Sequence, residues 1–343
     1  MPENQANTML SGQICLIING SQGAPPKALM TDEVEREGSM DYGNRSFGSR
    51  LGNHGVDSAN LPDNQSSVPV IRIDSPVTPG RSAPLTAMTC IFCGNSVIGR
   101  RTKEHVVPQW ALDEFALRNE HAQPTHFGVG GEILSDRLHT FSGLLAGQVC
   151  EQCNNGWMSR LETENKILLT ELGHGRRDTF GLEDEAAVGL ARWAFKTALA
   201  LHAASNYRKI IPEEHYRHMV LDPSTLPAGV HVVGKTWPVP CGFSWVQSPS
   251  WWIHQPGRQL ADHELQKLES EGYKICLCLS QLLLLVAFNP LPQTRVLMWK
   301  FLHVPLYPRR GPVAWLQRET DLPNDDPMKA VITFHGSFGL VPE

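Results

Sequence analysis

The residues of this chain that could do chemistry are grouped around two pairs of cysteines. The pairs lie in Cys90-Ile-Phe-Cys93 and Cys150-Glu-Gln-Cys153, so each has the spacing C-x-x-C. Such a turn presents two thiolates on one side, and two turns together supply the four ligands of a tetrahedral zinc site. The alternative is two unrelated turns with buried thiols. We expect one structural zinc ion bound by Cys90, Cys93, Cys150 and Cys153.

A second group of polar residues lies between the cysteine pairs and directly after them. Glu104 and His105 are followed by Val-Val-Pro, and Asn154 comes directly after Cys153. Carboxylate and amide oxygens suit a magnesium-like ion, and a neighbouring histidine can act as general base on water. An isolated Glu-His pair is more often a surface feature, and Asn154 could simply cap a helix. Their position beside the cysteine pairs favours a functional role.

This nested order resembles the zinc-stapled form of the HNH (ββα-metal) endonuclease family, and the resemblance covers Cys90 to Glu162. The family pattern is C-x-x-C, then an acidic residue, histidine, two hydrophobic residues and proline, then C-x-x-C with asparagine or histidine. The resemblance implies hydrolysis of phosphodiester bonds in DNA with a catalytic magnesium or manganese ion. Glu104 and Asn154 would bind that ion, with Asn155 as the fallback, and His105 would be the general base.

The resemblance also implies a nucleic-acid partner, most simply double-stranded DNA. Candidate phosphate contacts are Arg100, Arg101, Lys103 and Arg160, although each could equally belong to a solvated surface. A single site of this kind cuts one strand, so cleavage of both strands would require a homodimer.

Two departures from the family pattern leave other functions open. Leu138–Val149 contains no asparagine, whereas the family usually has one shortly before the second cysteine pair, and Glu104 replaces the commoner aspartate. The first alternative is therefore a non-catalytic, zinc-dependent nucleic-acid-binding protein with a degenerate HNH site. The second is a protein-interaction module in which zinc only holds a scaffold together.

Composition restricts the partners and the compartment. The net charge of −5 provides no overall basic field for nucleic acid, so binding would depend on local clusters. The longest apolar run, Ile275–Phe288, is too short to span a bilayer, and no signal peptide is visible. The other cysteines lack metal-binding spacing, and paired metal knuckles suit a reducing interior. We expect a cytoplasmic protein without a membrane span.

The chain of 343 residues divides into three regions by composition, and we expect an α+β fold. Residues 1–88 are poor in core-forming residues and are predicted to be a disordered N-terminal extension. The alternative is that Met88 is the true start and that the preceding residues come from an over-long gene prediction. Residues 89–180 are predicted to form the HNH ββα-metal domain with its zinc site. Residues 181–343 are predicted to form an α+β accessory domain.

The elements that must position the candidate residues follow from the local pattern. Val97–Val107 should contain the first strand of the ββα unit, Leu138–Val149 the second, and Trp157–Leu172 the helix. A short helix is expected after Pro108, and glycine-rich 121–136 is expected to be a loop. The accessory region is predicted to contain a buried helix through Ala204, two shorter helices and several strands, the last at 330–334.

Overall fold

The computed structural model describes residues 6–9, 14–19, 89–97, 102–127, 133–136, 138–205, 209–255, 257–300, 302–310, 313–316, 322–324 and 326–343. The structure describes only the backbone at residues 6–9, 14–19, 103, 127, 133, 135, 136 and 148. All described residues belong to one compact unit, Met1–Lys27 with Ala87–Glu343. The regions that composition separated at residue 180 therefore pack within the same unit.

A nine-stranded antiparallel sheet is the largest element among the described residues. Its strands are β2 (Ile14–Asn19), β4 (His121–Phe127), β5 (Ile133–Asp136), β6 (His139–Thr140), β8 (Val230–Thr236), β9 (Phe243–Ser248), β11 (Tyr273–Leu279), β12 (Leu282–Phe288) and β14 (Val304–Tyr307). Their order is β14-β8-β12-β11-β9-β2-β4-β5, with β6 also paired to β4. In the central hairpin, Ile275 lies opposite Val286.

A five-stranded mixed sheet accompanies it. Its strands are β1 (Ala6–Met9), β10 (Trp252–Gln255), β13 (Thr294–Trp299), β15 (Val313–Leu316) and β16 (Gly339–Pro342), in the order β1-β10-β16-β13-β15. The pairs β10–β16 and β13–β15 are parallel and the other two are antiparallel.

Six α-helices are described: α1 (Gln109–Glu114), α2 (Ser159–Gly173), α3 (Asp184–Ala204), α4 (Glu213–Leu221), α5 (Asp262–Glu271) and α6 (Pro327–Gly336). Asp184 and Glu185 lie in the first turn of α3, where negative charge stabilises the helix dipole. This helix packs against the large sheet at β8, β11, β12 and β14, and also against α2. It is the element that joins the sheet to the candidate site.

Both faces of the large sheet are buried, which explains the near-continuous apolar sequence of its central strands. Successive side chains in a strand point to opposite faces. Ile275 and Leu277 on β11 belong to the core that contains α3, whereas Lys274 donates to a carbonyl of α6 on the other face. Cys276 and Cys278 share the face of Lys274 and are buried, as predicted.

The candidate site is built on a separate two-stranded sheet. β3 (Thr102–His105) pairs antiparallel with β7 (Leu145–Val149), with Glu104 opposite Ala146. After β7 the chain passes through the π-helical segment Cys153–Met158 into α2. The two predicted strands therefore pair and lead into the predicted helix, whereas the segment between them contains α1, β4, β5 and β6 instead of one long loop. β7 packs against α3.

Several element predictions are confirmed and two are wrong. The buried helix through Ala204 and the strands β11 and β12 have the expected bounds. The predicted loop at 121–136 instead contains β4 and β5, because these residues complete hydrogen bonding at one end of the large sheet. The predicted strand at 330–334 lies within α6, which Asp326 caps by accepting hydrogen bonds from the N–H groups of Met328 and Lys329.

The predicted disordered extension, residues 1–88, lies outside the described residues except at β1 and β2. There the chain differs from the prediction, because both segments are extended and paired. β2 lies between β9 and β4, and its apolar run Ile14–Ile18 has the composition of an inner strand.

Two further findings concern a disulfide bond and the lengths of the helices. A disulfide joins Cys241 and Cys278, whereas we expected no disulfide framework. This pairing was hidden in the sequence because the cysteines are 37 residues apart and meet through sheet packing. Within the described part of the chain, every helix is too short or too polar to cross a bilayer.

Candidate metal centre

Four cysteine side chains converge beside the β3–β7 hairpin. The sulfur atoms of Cys90, Cys93, Cys150 and Cys153 all lie within 4.8 Å of one another. The Sγ atoms of Cys93 and Cys150 are 3.7 Å apart although the residues are 57 positions apart in sequence. Tetrahedral geometry with zinc–sulfur bonds of about 2.3 Å places neighbouring sulfurs about 3.8 Å apart. The donors and their spacing therefore fit a metal such as zinc, as predicted.

The first cysteine pair lies in a tight turn that its sequence explains. The Gly94 amide donates to the carbonyl of Cys90 at 2.9 Å, and the Cys90 amide donates to the carbonyl of Asn95 at 2.8 Å. Gly94 has φ +71°, a conformation in which a side chain would be strained. In the second pair, the Asn154 amide donates to the carbonyl of Cys150 at 3.0 Å. Each pair is thus shaped by its own backbone.

The thiols of the cluster share their protons unequally. A hydrogen bond from Cys153 lowers the pKa of Cys90 to about 4, against the opposing effect of burial. The same hydrogen bond, with burial, raises the pKa of Cys153, and burial raises the pKa of Cys93. Metal binding displaces the protons of such closely spaced thiols, because cysteine ligands must be deprotonated.

Glu104 lies inside the protein rather than on the surface of the hairpin. Its side chain is 5% exposed, and its Oε1 accepts a hydrogen bond from Lys196 Nζ at 2.8 Å. Lys196 belongs to α3 and has no exposed side-chain surface. It also donates to Glu162 Oε1 on α2 at 2.5 Å. A buried lysine therefore joins two carboxylates that come from β3 and α2.

Burial and charge act in opposite directions on this triad. Burial raises the pKa of Glu104, and the nearby Lys196 ammonium opposes the rise. Burial alone would favour the neutral amine of Lys196, but the charges of Glu104 and Glu162 raise its pKa above the usual value. The ammonium form of Lys196 is therefore retained inside the protein.

The other candidate catalytic residues lie close by in sequence but make different contacts. His105 ends β3, is half-buried and pairs with Leu145 across the hairpin. Asn154 is half-buried in the π-helical segment, directly after a cysteine of the cluster. The hydrogen-bond partner of Glu104 is Lys196 and not Asn154. Among the described residues, the one group of His, Cys, Asp and Glu side chains close enough to hold a metal is the cysteine cluster.

The candidate phosphate contacts are mostly outside the described residues. Arg100 and Arg101 are not described, and Lys103 is described only by its backbone in β3. Arg160 is exposed in the first turn of α2. Its exposure is compatible with a phosphate contact, and the role of all four residues stays a prediction.

Sequence reasoning missed Lys196 and Glu162, although one signal was present. Lys196 stands in a helix of mostly alanine, leucine and aromatic residues that was predicted to be buried. A lysine in such a helix needs an acidic partner, because an isolated buried ammonium is strongly unfavourable. The sequence could not predict which residues are the partners, because Glu104 is 92 positions away and Glu162 is 34 positions away.

Comparison with known proteins gives no relative on which to base a function: no family model, no curated protein and no solved structure matches this chain.

Proposed function

We propose that this chain is a metal-dependent endonuclease of the HNH type that hydrolyses phosphodiester bonds in DNA. The observation that carries the proposal is the strand–strand–helix unit with four clustered cysteines at its ends. Glu104 and His105 lie on its first strand, and Asn154 lies between the last cysteine and the helix. In this proposal a carboxylate, an imidazole and an amide belong to one zinc-held unit, meaning β3, β7 and α2 with zinc bound by the four cysteines.

In this proposal His105 is the general base. Its imidazole takes a proton from a water molecule as the water oxygen attacks phosphorus. The new phosphorus–oxygen bond forms while the bond to the leaving oxygen breaks, and the leaving oxygen takes a proton from solvent. A bound magnesium or manganese ion would supply positive charge that stabilises the phosphate and the leaving oxygen. The half-buried position of His105 leaves part of its side chain accessible to such a water.

The donor set fits such an ion through one oxygen of Glu104. The hydrogen bond from Lys196 engages Oε1, and no described residue donates a hydrogen bond to Oε2. Asn154 offers a neutral amide oxygen, which is also a hard ligand. Glu104 Oε2 and the Asn154 side-chain oxygen would therefore hold the ion.

One observation favours the non-catalytic alternative. Lys196 already supplies a cation to Glu104 inside the protein, so the carboxylate has a structural role that needs no metal ion. The absence of asparagine from Leu138–Val149 points the same way. In this alternative the zinc-held unit binds nucleic acid without cutting it.

Plasmid nicking tests the proposal directly. We would incubate the full-length, zinc-loaded chain with supercoiled plasmid and magnesium or manganese, beside His105→Ala. The matched control is His139→Ala, an exposed histidine of the short strand β6. We expect nicking by the parent and by His139→Ala, with at least about a hundredfold loss for His105→Ala, the usual contribution of a general base.

Equal nicking by the parent and His105→Ala would contradict the assigned base. A folded parent with bound zinc and no cleavage would favour the binding alternative. The salt dependence of DNA affinity would then decide between the remaining functions, because phosphate contacts give a steep slope. A protein-interaction module would show no salt-dependent affinity for DNA.

A further inference from the structure

The buried lysine of α3 forms ion pairs with two carboxylates. Positions 193–202 of α3 are all buried, and Lys196 is the one lysine among them. Its two carboxylate partners come from β3 and α2, the strand and the helix of the zinc-held unit. The ammonium therefore connects α3 to both parts of that unit.

The geometry restricts how the Glu104 carboxylate can turn. The side chain is 5% exposed and Oε1 is fixed at 2.8 Å from Nζ, so the carboxylate plane has little freedom. Lys196 is fixed in turn by Glu162, whose side chain is 20% exposed and anchored in α2. A ligand atom held in this way needs no reorganisation when an ion binds.

We propose that Lys196 is a positioning residue of the nuclease site, which fixes the carboxylate of Glu104 so that Oε2 is presented to the catalytic ion. The inference rests on the proposed function. It makes α3, from the region that composition assigned to an accessory domain, part of the active site. Lys196 acts through Glu104 and does not touch the substrate.

The competing explanation is a buried ion pair that serves only the fold. Removing one partner of such a pair is destabilising whether or not the site is catalytic. Loss of activity in a Lys196 variant therefore decides nothing by itself. The test must show that the effect of Lys196 passes through Glu104.

A double-mutant cycle provides that test. We would prepare Lys196→Met, Glu104→Gln and the double variant in the full-length chain, with Lys196→Arg as the conservative replacement. For each protein we would measure kcat and KM for plasmid nicking, and Mn²⁺ affinity by electron paramagnetic resonance without DNA. Zinc content and thermal unfolding would show which variants keep the fold.

We expect Lys196→Met to lower kcat by about tenfold to a hundredfold with little change in KM, the range found for residues that orient metal ligands. The same substitution in the Glu104→Gln background should change kcat and Mn²⁺ affinity by less than about twofold, because the partner is already altered. Lys196→Arg should recover part of kcat by keeping the charge.

Three results would overturn the inference. The first is an active parent whose variants lose kcat additively in the cycle. This result would leave the nuclease proposal standing and give Lys196 a purely structural role. The second is a kcat for Lys196→Met equal to that of the parent. The third is a zinc-loaded parent that neither nicks DNA nor binds Mn²⁺, which would remove the proposed function and this inference together. If Lys196→Met does not fold, Lys196→Arg and its double variant with Glu104→Gln complete the cycle.

Discussion

Lys274 of β11 should make the stability of this protein depend on pH in the neutral to alkaline range. Its side chain is buried, and Nζ donates to the carbonyls of His335 and Phe338 at 3.0 and 3.1 Å. It also lies 5.5 Å from the ring centroid of Trp251. No carboxylate of the described residues contacts it, and burial lowers its pKa from 10.5 to about 7. Lys196, with two carboxylates, shows the opposite shift.

The sign of the effect follows from the two pKa values of Lys274. Between about pH 7 and pH 10.5 the unfolded chain holds a proton that the folded chain has released. Stability therefore rises with pH across this window and is lost as pH falls toward 7, with a limiting slope of about 1.4 kcal/mol per pH unit. Integrated from pH 7 to pH 9, the contribution of Lys274 is about 2 kcal/mol.

The assay compares urea unfolding of the parent and Lys274→Met at several pH values from 7 to 9. The difference between the two proteins removes the titration of groups that do not interact with Lys274. Cys276 does interact with Lys274, and burial raises the pKa of this thiol. We expect the parent to gain about 2 kcal/mol relative to Lys274→Met across the range. Lys267→Met, at an exposed position of α5, should show no such gain. A constant difference between the parent and Lys274→Met would refute the reasoning.

Three further predictions concern the metal, acid stability and the N-terminal strands. Cys153→Ala should abolish zinc binding, measured by metal analysis, and lower Tm by roughly 10 °C or more because metal binding is coupled to folding. The control Cys276→Ala should keep its zinc. Equal zinc contents in the two variants would contradict zinc binding by the cysteine cluster. Burial lowers the pKa of His215 and of His231 to about 4, so the free energy of unfolding should fall as pH drops from 6.5 to 4. The accompanying fall in the urea midpoint should be smaller in His215→Gln than in the parent. In the control His139→Gln this fall should equal that of the parent. Deleting residues 1–20 should remove β2 and speed hydrogen exchange of the β9 amides, whereas unchanged exchange would show that β2 does not cover them.

The local features of the site could be predicted from the sequence because they depend on short-range spacing of residues. The C-x-x-C pairs predict two tight turns, and the Gly94 turn shows why a glycine follows the first pair. The order of strand, strand and helix followed from the apolar pattern between 97 and 172. The buried helix α3 was predicted from its composition, which is also a local property of the sequence.

The misplaced elements are those that depend on distant partners. The glycine-rich 121–136 is predicted to be a loop when taken alone, yet β4 pairs with the distant strand β2, where Ile14 lies opposite Phe127, and β5 pairs with β4. The segment 330–334 has β-branched residues, but the cap at Asp326 and packing on the large sheet make it helical. Local propensity is a weak prior where packing decides.

The sequence by itself determined the four cysteines that cluster, the neighbouring positions of Glu104, His105 and Asn154, and the mixed α and β character of the chain. These are properties of residue type and near-neighbour spacing. Only the tertiary structure decided that Glu104 is buried, that Lys196 and Glu162 share its charge, and that α3 belongs to the site. The reason is physical: the partner of a buried charge is chosen by which elements pack together, and no local pattern records that choice.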